Sequence, residues 1–164
     1  MNADPRVTEF LPTRPDRRAT EAMIARTEAS FVTNGFGLWA VELRDSGTFA
    51  GYVGLQRPAF RAPFTPCVEI GWRLSHDEWG KGYATEGARA VLRHGFETLA
   101  LEEILSFTVP ANVRSRRIMA RLGMTHDPRE DFDHPLLPEG HPLRRHVLYR
   151  KGRLCGEGSE AAGR

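Results

Sequence analysis

The stretch from Ser75 to Glu86 carries glycine, lysine and threonine in a spacing that suits phosphate binding. It reads Ser-His-Asp-Glu-Trp-Gly-Lys-Gly-Tyr-Ala-Thr-Glu. Glycines at 80 and 82 allow a tight turn whose N–H groups face one concavity, and the helix predicted next adds unpaired N–H groups and a positive dipole end. Such a turn can bind a pyrophosphate, with Lys81 and Thr85 as side-chain contacts. Alone, the pattern fits a plain strand-to-helix turn equally well.

Two better-known phosphate loops do not fit this turn. The Walker pattern needs Gly-Lys followed by Ser or Thr, whereas Gly82 follows Lys81 here. The dinucleotide fingerprint needs a third glycine where Thr85 stands, and an acidic residue at the end of the following strand. The sequence meets neither requirement.

A second polar group follows a predicted strand that Pro110 ends. Asn112, Ser115 and Arg117 occur in the spacing Asn-x-x-Ser-x-Arg on a short predicted helix. Asparagine is among the best helix caps, and a first-turn serine can bond to nearby backbone groups. A capping role does not exclude ligand binding, because the Asn112 amide has spare donors and acceptors.

The hydrophobic pattern places both groups in one α/β domain, 1–151, with helices packed on a mixed sheet. Period-2 alternation predicts strands over 36–44, 48–56 and 67–74. An apolar, β-branched run predicts a strand over 104–109, and a last strand is expected over 146–150. Helical periodicity predicts helices over 16–31, 82–99 and 112–121. The remaining segments are expected to be an extended lead-in over 1–15, a loop over 127–145 and a flexible tail over 152–164.

The composition argues against several classes of protein. The 164 residues carry 23 basic and 21 acidic side chains, and a net charge of +2 gives no case for a nucleic-acid partner. Cys67 and Cys155 are too few for a disulfide framework or a cysteine metal site. No apolar run could span a membrane and no signal peptide is recognisable, so we expect a cytoplasmic protein without membrane contact.

Together the two polar groups resemble the GNAT superfamily of acetyltransferases. The resemblance rests on Trp-Gly-Lys-Gly-Tyr-Ala-Thr-Glu at 79–86 and on Asn-x-x-Ser at 112–115, followed by Leu-Gly-Met at 122–124. This form is similar to the RimJ/RimL branch, which acetylates protein N-terminal and other amines. Much of the superfamily has Gln or Arg where Trp79 stands, but Trp is common in that branch.

The resemblance implies a GNAT fold, in which the strands 67–74 and 104–109 run parallel and splay apart within a mostly antiparallel sheet flanked by helices. It implies acetyl-CoA as the acetyl donor, with pantetheine along 72–74 and pyrophosphate on the 80–85 turn. It assigns cofactor binding to Trp72, Arg73, Leu74, Gly80, Lys81, Gly82, Tyr83, Ala84, Thr85, Asn112, Ser115 and Arg117. By this resemblance Asn112 contacts pantetheine, Ser115 lies near the thioester sulfur and Arg117 reaches the 3′-phosphate.

The implied reaction, attack of an amine on the thioester, needs a proton acceptor for the amine. A peptide α-amine has a pKa of about 8, so a modest base or a water chain suffices. Glu69 is the candidate base, because it lies mid-strand on the face away from the apolar stripe. A solvated glutamate or a salt bridge to Arg73 is the structural alternative.

The thiolate that leaves needs a proton donor. Many GNAT enzymes use a tyrosine at the position that aligns with Met119, and methionine cannot donate. Ser115 is therefore the candidate acid, with water as the alternative. A thiol pKa of about 8.5 makes a single hydroxyl donor sufficient.

Acidic and histidine side chains gather near the end of the chain. Asp131, Asp133, His134, His141 and His146 match no metal-ligand spacing. We therefore expect no metal, and expect these residues to shape a loop or line the acceptor cleft.

The N-terminal part departs from the family pattern. Members usually carry a strand and a helix ahead of a stretch like the one at 2–7, so we expect the first strand and most of the first helix to be missing. The strand at 37–44 would then be an uncovered edge, which a second copy could cover in a homodimer. The alternatives to a protein or small-molecule N-acetyltransferase are a catalytically weak acyl-CoA-binding module and an unrelated α/β domain.

Overall fold

The computed structural model describes residues 1–153; residues 154–164, which include Cys155 and most of the predicted tail, lie outside the described part. The first helix, α1, spans Arg17–Asn34. Its start is fixed by Asp16, whose carboxylate accepts a hydrogen bond from the Ala19 backbone N–H at 2.7 Å. It ends at Gly35, whose φ of +75° is a left-handed conformation that favours glycine.

Within residues 1–153, seven strands form a mixed sheet in the order β1-β2-β3-β4-β7-β5, and β6 pairs with β7. The strands are β1 (Leu38–Glu42), β2 (Phe49–Gln56), β3 (Glu69–Leu74), β4 (Glu103–Thr108), β5 (Thr125–His126), β6 (Phe132–Asp133) and β7 (Arg145–Gly152). All neighbours pair antiparallel except β3 and β4, which are parallel. The predicted mixed sheet with a central parallel pair is therefore confirmed.

Two further helices pack on the sheet. Helix α2 spans Tyr83–Arg93 and continues into a π-helical turn at His94–Thr98, and helix α3 spans Val113–Arg121. The predicted uninterrupted helix over 82–99 is therefore wrong in its last turn. In this turn Gly95 lies against β4, and an added Cβ would be 2.6 Å from the Ile104 Cδ1 atom. A side chain at this position would require the Ile104 side chain to move.

The apolar core lies between the sheet and helices α2 and α3. Leu55, Ile70 and Ile104 of the sheet and Met119 of α3 are each at most 1% exposed. Burying one such side chain contributes about 1.5–3 kcal/mol. Met119 therefore belongs to the core.

The first eleven residues form successive turns, so the expected extended lead-in is wrong. The Asn2 side chain accepts a hydrogen bond from Arg73 Nη1 at 3.3 Å and donates one to Thr20 Oγ1 at 3.1 Å. Further along, the Glu9 carboxylate pairs with Arg114 of α3 at 2.8 Å. This N-terminal segment therefore joins β3, α1 and α3.

Two smaller expectations also need correction. The predicted loop over 127–145 contains β6, and the predicted tail overlaps β7, which extends to Gly152. The uncovered edge expected near residues 37–44 corresponds to β1, which lies at one end of the strand order.

Of the helices in residues 1–153, none has the length and apolar character needed to cross a membrane.

Candidate active site

A cavity of about 770 Å³ lies where the ends of β3 and β4 meet the turn before α2 and the start of α3. The N-terminal segment and the loop before β7 form its other walls. All the predicted site residues except Lys81 line it. Because they come from 69–85 and from 112–117, the fold brings the two polar groups of the sequence together around one space.

The parallel strands diverge just below this cavity. Among the described residues, β3 and β4 are in register at a single pair, Glu69 and Leu105. One position further, the buried Ser106 hydroxyl donates a hydrogen bond to the Ile70 carbonyl at 2.9 Å. Alternation along the strand then turns the Trp72 backbone groups toward the gap. A gap edged by strand N–H and C=O groups suits an amide-bearing chain such as pantetheine.

The turn before α2 has the open concave backbone expected from its glycines. Gly80 has a φ of +77° and Gly82, the N-cap residue of α2, has a φ of +91°. A Cβ added at either position would meet no other atom within 4 Å, so the space above the turn is clear. The turn therefore fits a bulky anionic group placed on the helix N-terminus.

The first turn of α2 contributes Tyr83, Ala84 and Thr85 to the cavity wall. Thr85 is 8% exposed, so its hydroxyl is mostly withdrawn from solvent. The Lys81 ammonium instead pairs with the Glu78 carboxylate at 3.0 Å and lies outside the cavity lining. The expected phosphate contact of Lys81 stays a prediction.

Trp79 connects the turn before α2 to β3 and to α3. Its Nε1–H donates to the Leu74 carbonyl at 3.0 Å, which ties the turn to the end of β3. The Arg114 guanidinium carbon lies 4.5 Å from the centre of the Trp79 ring, a cation–π distance. Arg114 was not among the candidate site residues, and its contact with Trp79 has no signature in the sequence.

At the start of α3, Asn112 is both a helix cap and a cavity residue. Its Oδ1 accepts a hydrogen bond from the Ser115 N–H at 3.2 Å, and its Nδ2 donates to Thr108 Oγ1 at 3.0 Å and to Ser115 Oγ at 3.2 Å. Because Ser115 Oγ accepts this bond, its own proton remains available for a group in the cavity. Arg117, one turn into α3, is exposed at the rim.

Glu69 is half-buried at the base of the gap. Burial raises the pKa of its carboxyl to about 7, although a hydrogen bond of 2.9 Å donated by Gln56 Nε2 acts in the opposite direction. No salt bridge to Arg73 is recorded in residues 1–153. A carboxyl that titrates near neutral pH inside a cleft has the property that a general base needs.

The cavity lining also includes His134, His146 and Phe107. The two imidazole centroids lie 5.1 Å apart, and His146 lies 6.2 Å from Phe107. Burial lowers the pKa of both imidazoles. In the described residues, no three His, Cys, Asp or Glu side chains are arranged to hold a metal ion.

Comparison with known proteins agrees with this fold. The sequence model of the family described as "Acetyltransferase (GNAT) domain" matches residues 1–125. A solved acetyltransferase from Agrobacterium tumefaciens str. C58 is 29% identical, with a TM-score of 0.70 over 92% of this chain and 80% of that chain. The fold is therefore that of acetyltransferases. The chain belongs to the GNAT acetyltransferase family.

Two further relatives are similar over different extents. FsC-acetyl coenzyme A-N(2)-transacetylase of Aspergillus fumigatus is 40% identical over 99 residues, which cover 56% of this chain and 40% of that protein. The match therefore spans less than half of that relative. Ribosomal-protein-S5-alanine acetyltransferase of Vibrio fischeri is 17% identical, with a TM-score of 0.72 over 94% of this chain and 86% of that chain, and shares the fold.

Proposed function

We propose that this protein is an acetyl-CoA-dependent N-acetyltransferase that moves the acetyl group directly to a primary amine in a ternary complex. The observation that carries the proposal is the cavity that joins the strand gap, the glycine turn and the start of α3. Family membership supports acetyl-CoA as the donor. The amine is a protein N-terminus or a small molecule, as in the RimJ/RimL branch.

The donor fits the cavity in a defined orientation. The pyrophosphate lies on the N–H groups of the Gly80–Thr85 turn, because that surface is open and the α2 dipole favours an anion. The pantetheine arm extends along the Trp72 backbone into the gap, with the Asn112 amide beside it. Arg117 lies at the rim, where it can meet the 3′-phosphate.

Glu69 acts as the base in this proposal. An amine that arrives protonated must lose a proton before its nitrogen can attack the thioester. The Glu69 carboxylate lines the cavity and, with a pKa of about 7, is ionised in a large fraction of molecules at neutral pH. It can accept the proton directly or through a water molecule.

Ser115 supplies the proton for the leaving thiolate. Its hydroxyl lines the cavity and already accepts a hydrogen bond from Asn112, which leaves the hydroxyl proton free to point elsewhere. Water restores that proton afterwards. Direct transfer to the amine is favoured over a route through an acetylated Cys67 intermediate, because only a thiolate attacks a thioester readily. Burial raises the pKa of the Cys67 thiol to about 11 and keeps the thiol protonated.

Three features of the whole protein belong to the same proposal. Residues 1–151 act as one catalytic domain, and the cytoplasm is the compartment in which acetyl-CoA would be met. A homodimer would form by addition of a second copy at the β1 edge. We propose neither a nucleic-acid nor a membrane partner.

Calorimetric titration with acetyl-CoA tests the donor site. The Gly82→Glu variant places a carboxylate where the pyrophosphate should lie, and Gly47→Glu is the matched control, since Gly47 also has a positive φ and open space but lies in the β1–β2 turn. We expect micromolar binding by the parent and the control, and none by a folded Gly82→Glu protein. Equal binding of acetyl-CoA by all three proteins would refute the proposed position of the pyrophosphate. Absence of binding by the parent would refute acetyl-CoA as the acetyl donor.

A further inference from the structure

The chemistry of amide formation requires more proton acceptors than one. An acceptor that arrives as an ammonium ion carries three protons on nitrogen, and the product amide keeps one. Of the two protons lost, one ends on the CoA sulfur and the other reaches solvent. In the proposed mechanism Glu69 and Ser115 convey one of these protons to sulfur. A second basic group near the amine can carry the other proton to solvent.

The tautomer of His146 is fixed by the main chain. Its Nδ1 lies 3.0 Å from the Arg144 carbonyl oxygen, and since a carbonyl can only accept, Nδ1 must carry the proton. The neutral ring therefore has its lone pair on Nε2. In the described part of the chain, that nitrogen has no hydrogen-bond partner, and the ring lines the cavity.

His134 has the opposite tautomer. The Leu136 backbone N–H points at its Nδ1 at 3.4 Å, which leaves Nε2 as the protonated nitrogen of the neutral ring. His134 therefore cannot accept a proton at the nitrogen that His146 uses. With its centroid 5.1 Å away, it instead disfavours the imidazolium form of His146.

The surroundings keep His146 neutral and its lone pair available. Phe107 of β4 and Phe132 of β6 pack against the ring with centroids 6.2 and 5.5 Å away. The Asp133 carboxylate is turned to Arg144 and Arg145, each at 3.4 Å. The charged groups in the neighbouring residues are therefore two arginines and the one carboxylate that pairs with both, together with the titratable His134.

We propose that His146 is a second catalytic base beside Glu69, which takes the first proton from the acceptor ammonium at Nε2. This inference rests on the proposed acetyltransferase function. The freed nitrogen lone pair then forms the C–N bond to the thioester carbon, and the C–S bond breaks with its electron pair on sulfur. Glu69 takes the second proton from nitrogen, Ser115 protonates the thiolate, and the Glu69 proton passes through water to the Ser115 oxygen. His146 returns its proton to solvent, so that one of the two protons ends on sulfur and the other in solvent.

His146→Asn separates this role from a structural one. The asparagine Nδ2–H can keep the hydrogen bond to the Arg144 carbonyl, but nothing replaces the Nε2 lone pair. His141→Gln is the control, because His141 lies in the loop just before β7, its Nδ1 accepts the Leu143 N–H at 3.1 Å and it is outside the cavity lining. His146→Gln serves as a second variant should the first lose its fold by circular dichroism.

The test measures kcat/KM against pH, with acetyl-CoA and an α-amine peptide as acceptor. We expect about a 100-fold loss in His146→Asn near neutral pH, an unchanged dissociation constant for acetyl-CoA, and recovery toward the parent above the pKa of the amine, where no first proton must leave. A loss that is independent of pH, or wild-type activity in His146→Asn, overturns the inference while the parent still transfers acetyl. A parent that transfers acetyl to no amine overturns both proposals.

A nuclear magnetic resonance readout does not depend on turnover. Nitrogen-edited spectra of the labelled protein should show His146 as the Nδ1–H tautomer, titrating below pH 6.5 because burial lowers its pKa. The Nε2–H tautomer, or a protonated ring at pH 7, would contradict the role. His141, outside the cavity, supplies the reference signal.

Discussion

The Ser106 hydroxyl lies 2.9 Å from the Ile70 carbonyl and donates a hydrogen bond to it at the point where β3 and β4 part. The register of the two strands ends one position earlier, at Glu69 and Leu105. A side-chain donor thus occupies a carbonyl that a continuing parallel ladder would have paired with a backbone N–H. The gap that we assign to pantetheine begins there.

Replacing Ser106 by alanine tests this relationship. Ser106 is 3% exposed, so Ser106→Ala leaves a buried carbonyl without its partner and should lower the free energy of unfolding by about 1–3 kcal/mol. Urea unfolding gives the difference, with Ser46→Ala in the exposed β1–β2 turn as a control within about 0.5 kcal/mol. A Ser106→Ala protein as stable as the parent would show that the bond contributes nothing.

Two substitutions of Asn112 can separate its role as a helix cap from the contacts of its amide Nδ2. Asn112→Asp keeps an oxygen that accepts from the Ser115 N–H but loses the Nδ2 donor to Thr108 and Ser115. We expect stability close to that of the parent and weaker acetyl-CoA binding, whereas Asn112→Ala should lose about 1 kcal/mol of stability as well. Thermal unfolding and calorimetry report the two effects. Unchanged binding in both variants would limit Asn112 to capping.

Trp79 should couple the turn to β3. Trp79→Phe removes the Nε1 donor to the Leu74 carbonyl and weakens the stack with Arg114. We expect a stability loss of about 1 kcal/mol and a several-fold weaker acetyl-CoA affinity. Trp39→Phe is the control, since Trp39 packs on Phe31 and outside the cavity lining. Equal effects of the two substitutions would argue against a special role for Trp79.

Glu69 should make stability fall with rising pH. Its folded-state pKa of about 7 lies above the ordinary value of 4.5, so the folded protein binds more protons than the unfolded chain between those two values. The stabilising contribution is complete below pH 4.5 and is lost as pH rises through 7, by on the order of 2 kcal/mol. Urea unfolding across this range should show the fall in the parent and its absence in Glu69→Gln.

The same group should shape the activity profile. We expect kcat/KM of the parent to rise with pH through about pH 7, as the Glu69 carboxyl ionises. In Glu69→Gln this rise should be absent, while the rise caused by deprotonation of the acceptor amine should remain. Glu42→Gln, on the exposed edge strand β1, is the control for both experiments. A Glu69→Gln profile that matches the parent would remove Glu69 from the mechanism.

The sequence was most informative where one residue type determines a local conformation. The glycines at 80 and 82 have positive φ and Asn112 caps α3, as the turn and cap signals predicted. Strands β1, β2 and β3 followed from period-2 alternation, and β4 followed from its apolar, β-branched composition. The parallel, splayed pair came from the family resemblance, since alternation does not reveal which strands become neighbours.

The remaining features depend on contacts between distant residues. Strands β5 and β6 have two residues each and show no alternation, so they are recognisable only through their pairing with β7. The N-terminal turns are held by Asn2 on Arg73 and Glu9 on Arg114, contacts without a local signature. The tautomer of His146 is likewise set by the Arg144 carbonyl.

The most direct test of the acetyltransferase assignment is transfer of an isotope-labelled acetyl group. The parent, Gly82→Glu and Gly47→Glu would be incubated with labelled acetyl-CoA and a mixture of peptides and small amines, and the products analysed by mass spectrometry. The account predicts labelled amides with the parent and with Gly47→Glu, and none with Gly82→Glu. Acetyl-CoA binding by the parent without any labelled amide would contradict it and favour a binding module that does not catalyse transfer.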